Sequence, residues 1–481
     1  MHTIVLTLVV IIGFLLLSRV DPKASQAERW GFATPVGLGA VTLLMFAADW
    51  AGLPLTRPLV WGILVVLLLG SVALLWPQRK TFIGGFTKKP DFTWINALWI
   101  VAFCVIAYME YANLMKTLYF PAYDRDSLAG FDTIGFVAAQ EHTFRGMSIF
   151  AGNYMPSIHG PGSYISYMPG LQLSYTLVYL MGAETSKAVP ALLWLGFLLG
   201  LYGLSRRFFR TCTGRTWGGD TAAILVVLLL MFATEMVSFS SLSGTNVPQA
   251  VVAAPGLTYV VLWYRAHRSG DTSNFEPTTS LYIGCILLAL SCWLRLEGFI
   301  FSFIAFCVVL VGVLLRPASL PLRQKVVLPL LPIVSLLPIV LFNVYTKIFA
   351  LTAESTIIAR PYWDGAKAQT VFDHAISLLC NTQYYGHAFA LFVIALVLSI
   401  PLLCKGRGVM TYLAIVAAVA MYFVVLYQID YKWDTIENVL NYSAKRFLFC
   451  FVPMVLICAL CQGNLARLVD WIERKCSLRK A

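Results

Sequence analysis

YDRDSLAGFDTIGFVAAQEHTFRGMSIFAGNYMPSIHGPGSYISYMPGLQ, residues 123–172, is the longest polar interruption in a chain that is otherwise almost continuous apolar helix. It carries Asp124, Asp126, Asp132 and Glu141, with Tyr and Pro–Gly punctuation that a plain connection would not need. On either side lie apolar stretches, 93–112 and 187–205, of the roughly 20 residues that cross a bilayer. The chain reads as a membrane bundle built around one elaborate loop.

The rest of the sequence agrees. Of 481 residues, 59% are apolar and 12% charged, and the mean hydropathy is +0.77. A soluble domain carries about 25% charged residues. The fold class is therefore an all-α polytopic membrane protein. Spans are expected at 3–18, 34–54, 58–76, 93–112, 187–205, 219–238, 247–264, 279–294, 298–315, 326–346, 385–404, 410–428 and 447–463, about thirteen in all. Residues 3–18 lack a preceding basic region and a clean small-residue cleavage site, so they read as a first membrane helix.

The net charge of +12 raises the question of nucleic acid. No basic stripe with interleaved aromatics appears, so no nucleic-acid partner is expected. The cations instead follow the loops. With the amino terminus outside, the inward segments include RKTFIGGFTKK (79–89), RRFFR (206–210) and the tail RKCSLRK (474–480). About 23 Lys and Arg then lie inside against about 12 outside, the cytoplasmic bias. This requires that YMPGLQLSYTLVYLMG (167–182) not cross but lie at, or dip into, the outer surface. Three long segments become extracytoplasmic: 113–186, 347–384 and 429–446. The expected division is an N-terminal three-helix extension (1–92), a catalytic bundle (93–463) with outer loop 113–186, and a basic cytoplasmic tail (464–481).

Metal chemistry has little to build on. The Cys residues sit mostly in apolar runs, where Cys behaves as a small hydrophobe. Cys458 and Cys461, three apart within one apolar helix, read as packing and the His residues do not cluster, so no structural zinc is expected. Asp124-Arg125-Asp126 fits the loose DxD pattern that holds a divalent metal against a diphosphate, and DxD is common by chance. No other cofactor is expected.

Candidate chemistry lies in the outer segments. Gly130 is expected to break the chain after Asp126, and FDTIGFVAAQEHTF (131–144) reads as an amphipathic helix. Asp126 would stand just before that helix and Asp132 in its first turn, where the dipole favours a carboxylate. Asp132 can equally be a simple cap. In CWLRLEGF, Arg295 and Glu297 lie between two apolar runs with almost no loop. An Arg placed there suits phosphate, which it binds bidentately; the alternative is a tight turn in which Arg295 pairs with Glu297. Arg446, with Lys445, stands on the outer side against the inward bias and wants an anionic partner. Arg360 and Asp364 form another outer pair with no assigned role. His142 and His159 read as surface or packing residues. No Ser–His–Asp order, HExxH or GxxxxGK[ST] pattern occurs.

Several of these pieces together resemble the GT-C class of polyprenyl-phosphate-sugar glycosyltransferases, the group that includes protein O-mannosyltransferases and lipid A aminoarabinose transferases. The pieces are Asp126-Ser-Leu with Phe131-Asp132, then 167–182, then AVPALLWLGFLLGLYGLSRRFF (188–209). GTNVPQAVVAAPGLTYVVLWY (244–264), LRLEGF (294–299) and KRFLFCFVPMVL (445–456) extend the likeness across about 93–463. There are departures: Met168-Pro169-Gly170 stands where the class has Pro-Pro-Leu, three spans precede the loop-bearing pair, and no soluble carboxy-terminal domain follows.

The resemblance implies an inverting transfer at the outer membrane face. Its donor would be a polyprenyl-phosphate-linked sugar and its acceptor a glycan, lipid or protein, with membrane lipid as surroundings. It implies Asp126 as general base, with Asp132 second. Asp124, Tyr167, Arg295, Glu297 and Arg446 would line the substrate site. Two other functions remain open: a transporter or flippase for lipid-linked glycans, and a polymerase or ligase of surface polysaccharide. A transporter would place ionisable groups or broken helices near the membrane midplane.

Overall fold

Helix dominates because the apolar runs contain few breakers and no strand-period alternation. The computed structural model describes residues 1–87, 97–150, 164, 167–214, 218–269, 277–315, 320–351, 357–359, 361–406, 408–432 and 434–476. His159 and Arg360 lie outside the described residues. The amino-terminal helices are α1 (His2–Val20), α2 (Gln26–Gly31), α3 (Ala33–Trp50), α4 (Arg57–Leu75) and α5 (Arg79–Thr87). Segment 79–87, expected as loop, is helical and continues α4 through a single 3-10 turn at Trp76–Gln78. Its one proline, Pro77, falls in the first turn, where a missing N–H costs nothing.

α6 (Ala97–Tyr119) leads into the quoted stretch. There a π-turn at Ser127–Phe131 runs directly into α7 (Asp132–Glu141), and α8 (Gly170–Leu180) follows. α8 has 11 residues, too few to cross a bilayer, and almost all are buried. The middle of the chain forms α9 (Ala188–Thr213), α10 (Gly219–Met231), α11 (Thr234–Ser240), α12 (Asn246–Ser269), α13 (Pro277–Leu294), α14 (Gly298–Leu315), α15 (Leu322–Val334) and α16 (Leu337–Ile348). Then come strand β1 (Ile357–Ala359), α17 (Gly365–Leu379), α18 (Thr382–Tyr385), α19 (Ala388–Leu403), α20 (Val409–Tyr427) and β2 (Ile429–Tyr431). The chain closes with α21 (Ile436–Val439), α22 (Lys445–Phe447), α23 (Val452–Cys461) and α24 (Gly463–Cys476).

Among the described residues, eight helices are long and apolar enough to cross a membrane, and up to eleven if each of three bent pairs is one span. Two shorter apolar helices, Thr278–Leu294 and Ala388–Leu403, stand at the expected segments 279–294 and 385–404. The protein is a multi-pass, helical membrane protein. The bends are 81° between α10 and α11, 48° between α15 and α16, and 45° between Ile436–Cys450 and α23. Pro338 and Pro453 sit in the first turns after the last two bends, where a proline cannot donate to the preceding turn. Among the described residues, one small sheet departs from the all-helical expectation: β1 and β2 pair antiparallel, with Ile358 opposite Asp430. Both segments are short; β1 carries Ile357 and Ile358 and β2 carries Ile429 and Tyr431, residues that suit strands.

α12 is the buried axis, and its residues from Ala250 to Tyr264 are almost all inaccessible. It packs on α13 where Gly256 meets Gly284; a Cβ on either would come within 3.2 Å of the other's carbonyl oxygen. Small residues allow that backbone approach. A second core joins α1, α3 and α4 to α7 and α8. Segment 206–210, expected as a loop, is the last part of α9. Arg207 is buried there, with Nη1 2.9 Å from Asp21 and 3.1 Å from Glu28. Tyr259 donates to the same Glu28 at 2.8 Å. Interior charges persist only when paired and hydrogen-bonded, as these are.

Candidate functional site

Asp126 is held through both of its carboxylate oxygens. Because the helix runs on through the π-turn, Gly130 does not break it as expected. Gly130 serves another purpose: a Cβ there would lie 2.3–2.6 Å from the ring of Tyr164. The bare backbone lets Tyr164 lie against the turn and donate its hydroxyl to Asp126 Oδ1 at 3.0 Å. Asp126 Oδ2 pairs with Arg446 Nη1 at 2.5 Å. The two side chains are 29% and 23% exposed, so the pair is half-open to ligand. Arg446 is oriented by its own helix, donating from Nε to the Tyr442 carbonyl at 2.9 Å, and it lies over the Phe239 ring.

Tyr164 continues into an aromatic stack. Its ring lies 5.4 Å from that of Tyr167, nearly parallel, and Phe131 meets both rings edge-on. The guanidinium of Arg295 sits over Tyr167 at 5.9 Å. Arg295 forms the bidentate pair with Glu297 that the tight-turn alternative anticipated, at 2.7 and 3.2 Å, and its Nη1 donates to Asn246 Oδ1. Asp126, Tyr164, Tyr167, Arg295, Glu297 and Arg446 thus form one continuous group. Its members come from the α6–α7 connection, the approach to α8, the α13–α14 turn and the segment before α23.

The electrostatics follow from burial and pairing. Burial, then the charge of Asp126, raises the Tyr164 hydroxyl well above the ordinary tyrosine range. Burial also raises Tyr167, with Arg295 opposing it. Burial works against the charge on Arg295, but the Glu297 carboxylate, by its charge and hydrogen bonds and together with neighbouring tyrosines, outweighs it and holds the guanidinium protonated. Tyr431 in β2 is raised by burial and by Glu297, which places the ribbon beside this group.

The other acidic residues point elsewhere. Asp132 accepts from the Tyr179 hydroxyl at 2.7 Å on α8. Asp124 accepts from the Ser127 N–H at 3.0 Å, capping the turn. Asp124 and Asp126 therefore hold different partners, and no group of three or more His, Cys, Asp or Glu among the described residues is arranged to hold a metal ion. Lys187 lies near Asp124 and Asp132, with its ammonium on the carbonyls of Phe120 at 2.6 Å and Pro121 at 3.2 Å. Burial lowers its proton affinity. Lys445 pairs with Glu235 at 3.2 Å and stands over Tyr384. Asp364 caps α17, and His142 bonds to the Leu55 carbonyl.

Sequence reasoning missed Tyr164, Lys187 and Asp49. Asp49, buried near the end of α3, accepts from Thr143 Oγ1 (3.0 Å), the Phe144 N–H (2.9 Å), the Arg145 N–H (3.3 Å) and the Tyr345 hydroxyl (2.5 Å). One carboxylate so ties the segment just after α7 to α3 and α16. An Asp in an otherwise apolar helix was the available signal. Gly170, where the resembled class has Leu, is also accounted for: a Cβ would meet Trp293 at 2.6 Å.

An apolar cavity of about 440 Å³ opens between α19 and α20, lined by Phe389, Phe392, Val393, Ile415 and Val419. Tyr385 links it to the cationic segment, packing on Phe389 and donating to the Lys445 carbonyl at 2.9 Å.

No known protein family, curated protein or solved structure matches this chain.

Proposed function

We propose that this protein is a membrane glycosyltransferase that moves a sugar from a polyprenyl-phosphate donor to an acceptor hydroxyl at the extracytoplasmic face. The observation that carries the reading is the Asp126–Arg446 ion pair, flanked by Tyr164, Tyr167 and Arg295. It sets a potential base against a potential phosphate ligand. In the reading, thirteen segments cross the membrane and α7, α8 and α17 are juxtamembrane.

The chemistry is direct. The donor phosphate takes Arg446, which matches it bidentately, and so frees Asp126 Oδ2. Asp126 removes the proton from the acceptor hydroxyl as its oxygen attacks the anomeric carbon. The carbon–oxygen bond to phosphate breaks with its electron pair, inversion follows, and the cations steady the departing lipid phosphate. The cavity between α19 and α20 has the apolar lining that a lipid chain needs. Purified protein incubated with a panel of labelled polyprenyl-phosphate sugars tests the reading through release of lipid phosphate.

One observation favours a transporter instead. α6 carries Glu110, buried within a candidate span and bonded to Trp194 Nε1 at 2.9 Å. Beside it Asn113 bonds Ser240 and Lys116 bonds Ser238, both on the broken α10–α11 pair. Ionisable groups at a broken helix are what transport sites use. Movement of intact lipid-linked glycan across vesicles without bond cleavage would select that reading.

A further inference from the structure

α24 turns its acids inward and its bases outward. Asp470 and Glu473 are 2% and 0% exposed, while Leu468 and Trp471 are 49% and 57% exposed. Arg467, Arg474 and Lys475 are exposed beside them. At 3.6 residues per turn, 467, 468, 471, 474 and 475 share one face and 466, 469, 470 and 473 the other. The inward acids have structural tasks: Glu473 accepts from the Thr221 N–H at the start of α10, and Asp470 pairs with Arg474 at 3.3 Å. The outer face keeps three cations, an aromatic and a leucine, with no acid.

The helix also closes one end of the bundle. Gly463, with φ +71°, turns the chain out of α23. α24 then packs on the start of α10, where Gly218 abuts Asp470, and on the end of α19, where Asn464 donates to the Leu398 carbonyl at 2.7 Å. It thus covers the end of the bundle opposite the acidic loop.

We infer that the outer face of α24 binds anionic phospholipid headgroups, with Trp471 and Leu468 entering the interface. Amphipathic helices with a basic rim and an aromatic edge bind lipid surfaces through buried apolar area and headgroup attraction. This inference is independent of the catalytic reading.

The test places p-benzoylphenylalanine at position 471 of the full chain, in nanodiscs holding equal phosphatidylglycerol and phosphatidylcholine. Irradiation should give phosphatidylglycerol adducts in at least about five-fold excess, the preference of one fully engaged cation. Arg467→Gln with Lys475→Gln, which leaves the Asp470–Arg474 pair intact, should bring the ratio towards one. Equal adducts in the parent protein, an excess that survives the double change, or cross-linking to protein instead of lipid would overturn the proposal.

Discussion

Arg446 and Asp126 lie 320 residues apart in sequence and form an ion pair at 2.5 Å. The first large loop and the last membrane segment are thereby joined at one point. Both side chains stay partly exposed, and in the proposed reaction the donor phosphate would compete for the guanidinium and so couple donor binding to release of the carboxylate.

Arg446→Ala should weaken binding of polyprenyl phosphate by about 1.5–3 kcal/mol, the worth of a charge-assisted contact. Lys at this position should restore only part, since it lacks the planar fork. Equilibrium binding of labelled lipid in detergent checks both. Arg295→Ala should also lower stability, because it leaves Glu297 and Asn246 without their partner. Undiminished lipid binding by Arg446→Ala would remove this residue from the donor site.

Gly130→Ala places a methyl group against the Tyr164 ring and should push the hydroxyl off Asp126. Misplacement of this order costs about 10²-fold in rate. Turnover of Gly130→Ala and of Tyr164→Phe should fall together while their melting temperatures stay near the parent's. A Gly130→Ala protein with full activity would show that Tyr164 does not hold the base.

Asp49→Ala strips the Phe144 and Arg145 N–H groups and the Tyr345 hydroxyl of their acceptor. Each buried donor left unmet costs about 1–3 kcal/mol. The loop around 142–150 should become sensitive to limited proteolysis before the bundle unfolds. An unchanged cleavage pattern would mean that the loop is held by other contacts.

Tyr164 holds its proton more tightly in the folded protein, through burial and the Asp126 charge. Its raised folded value means the contribution to stability is fully present below the unfolded value of about 10 and is lost as pH rises beyond it. Chemical unfolding in detergent on either side of about pH 10 should show a smaller alkaline loss for Tyr164→Phe than for the parent. Equal losses would place the alkaline sensitivity in other tyrosines.

Much of the framework was legible because long apolar runs report helices directly. The acidic loop, Arg295, Glu297 and Arg446 were visible as polar groups in apolar surroundings. Pairing was not legible: nothing in the sequence places Asp126 beside Arg446, since packing of distant helices decides it. Asp132 reads as well as Asp126 by composition, yet Tyr179 engages it in a different direction. Gly130 reads as a breaker by propensity, but the helix absorbs it as a π-turn because Tyr164 needs the space. RRFFR reads as a cytoplasmic loop by charge, whereas Arg207 is held inside by Asp21 and Glu28, nearly the whole chain length of the bundle's first half away.

The most direct measurement is release of lipid phosphate from a labelled polyprenyl-phosphate sugar by liposome-reconstituted parent, Asp126→Asn and Asp132→Asn proteins. Asp126→Asn keeps a hydrogen-bonding side chain but cannot take a proton. The expected result is acceptor-dependent release by the parent, a fall of about 10²–10⁴-fold for Asp126→Asn with donor binding retained, and a smaller loss for Asp132→Asn. Full activity in Asp126→Asn, or no release by the parent with any donor while intact lipid-linked glycan crosses the liposome membrane, would contradict the account.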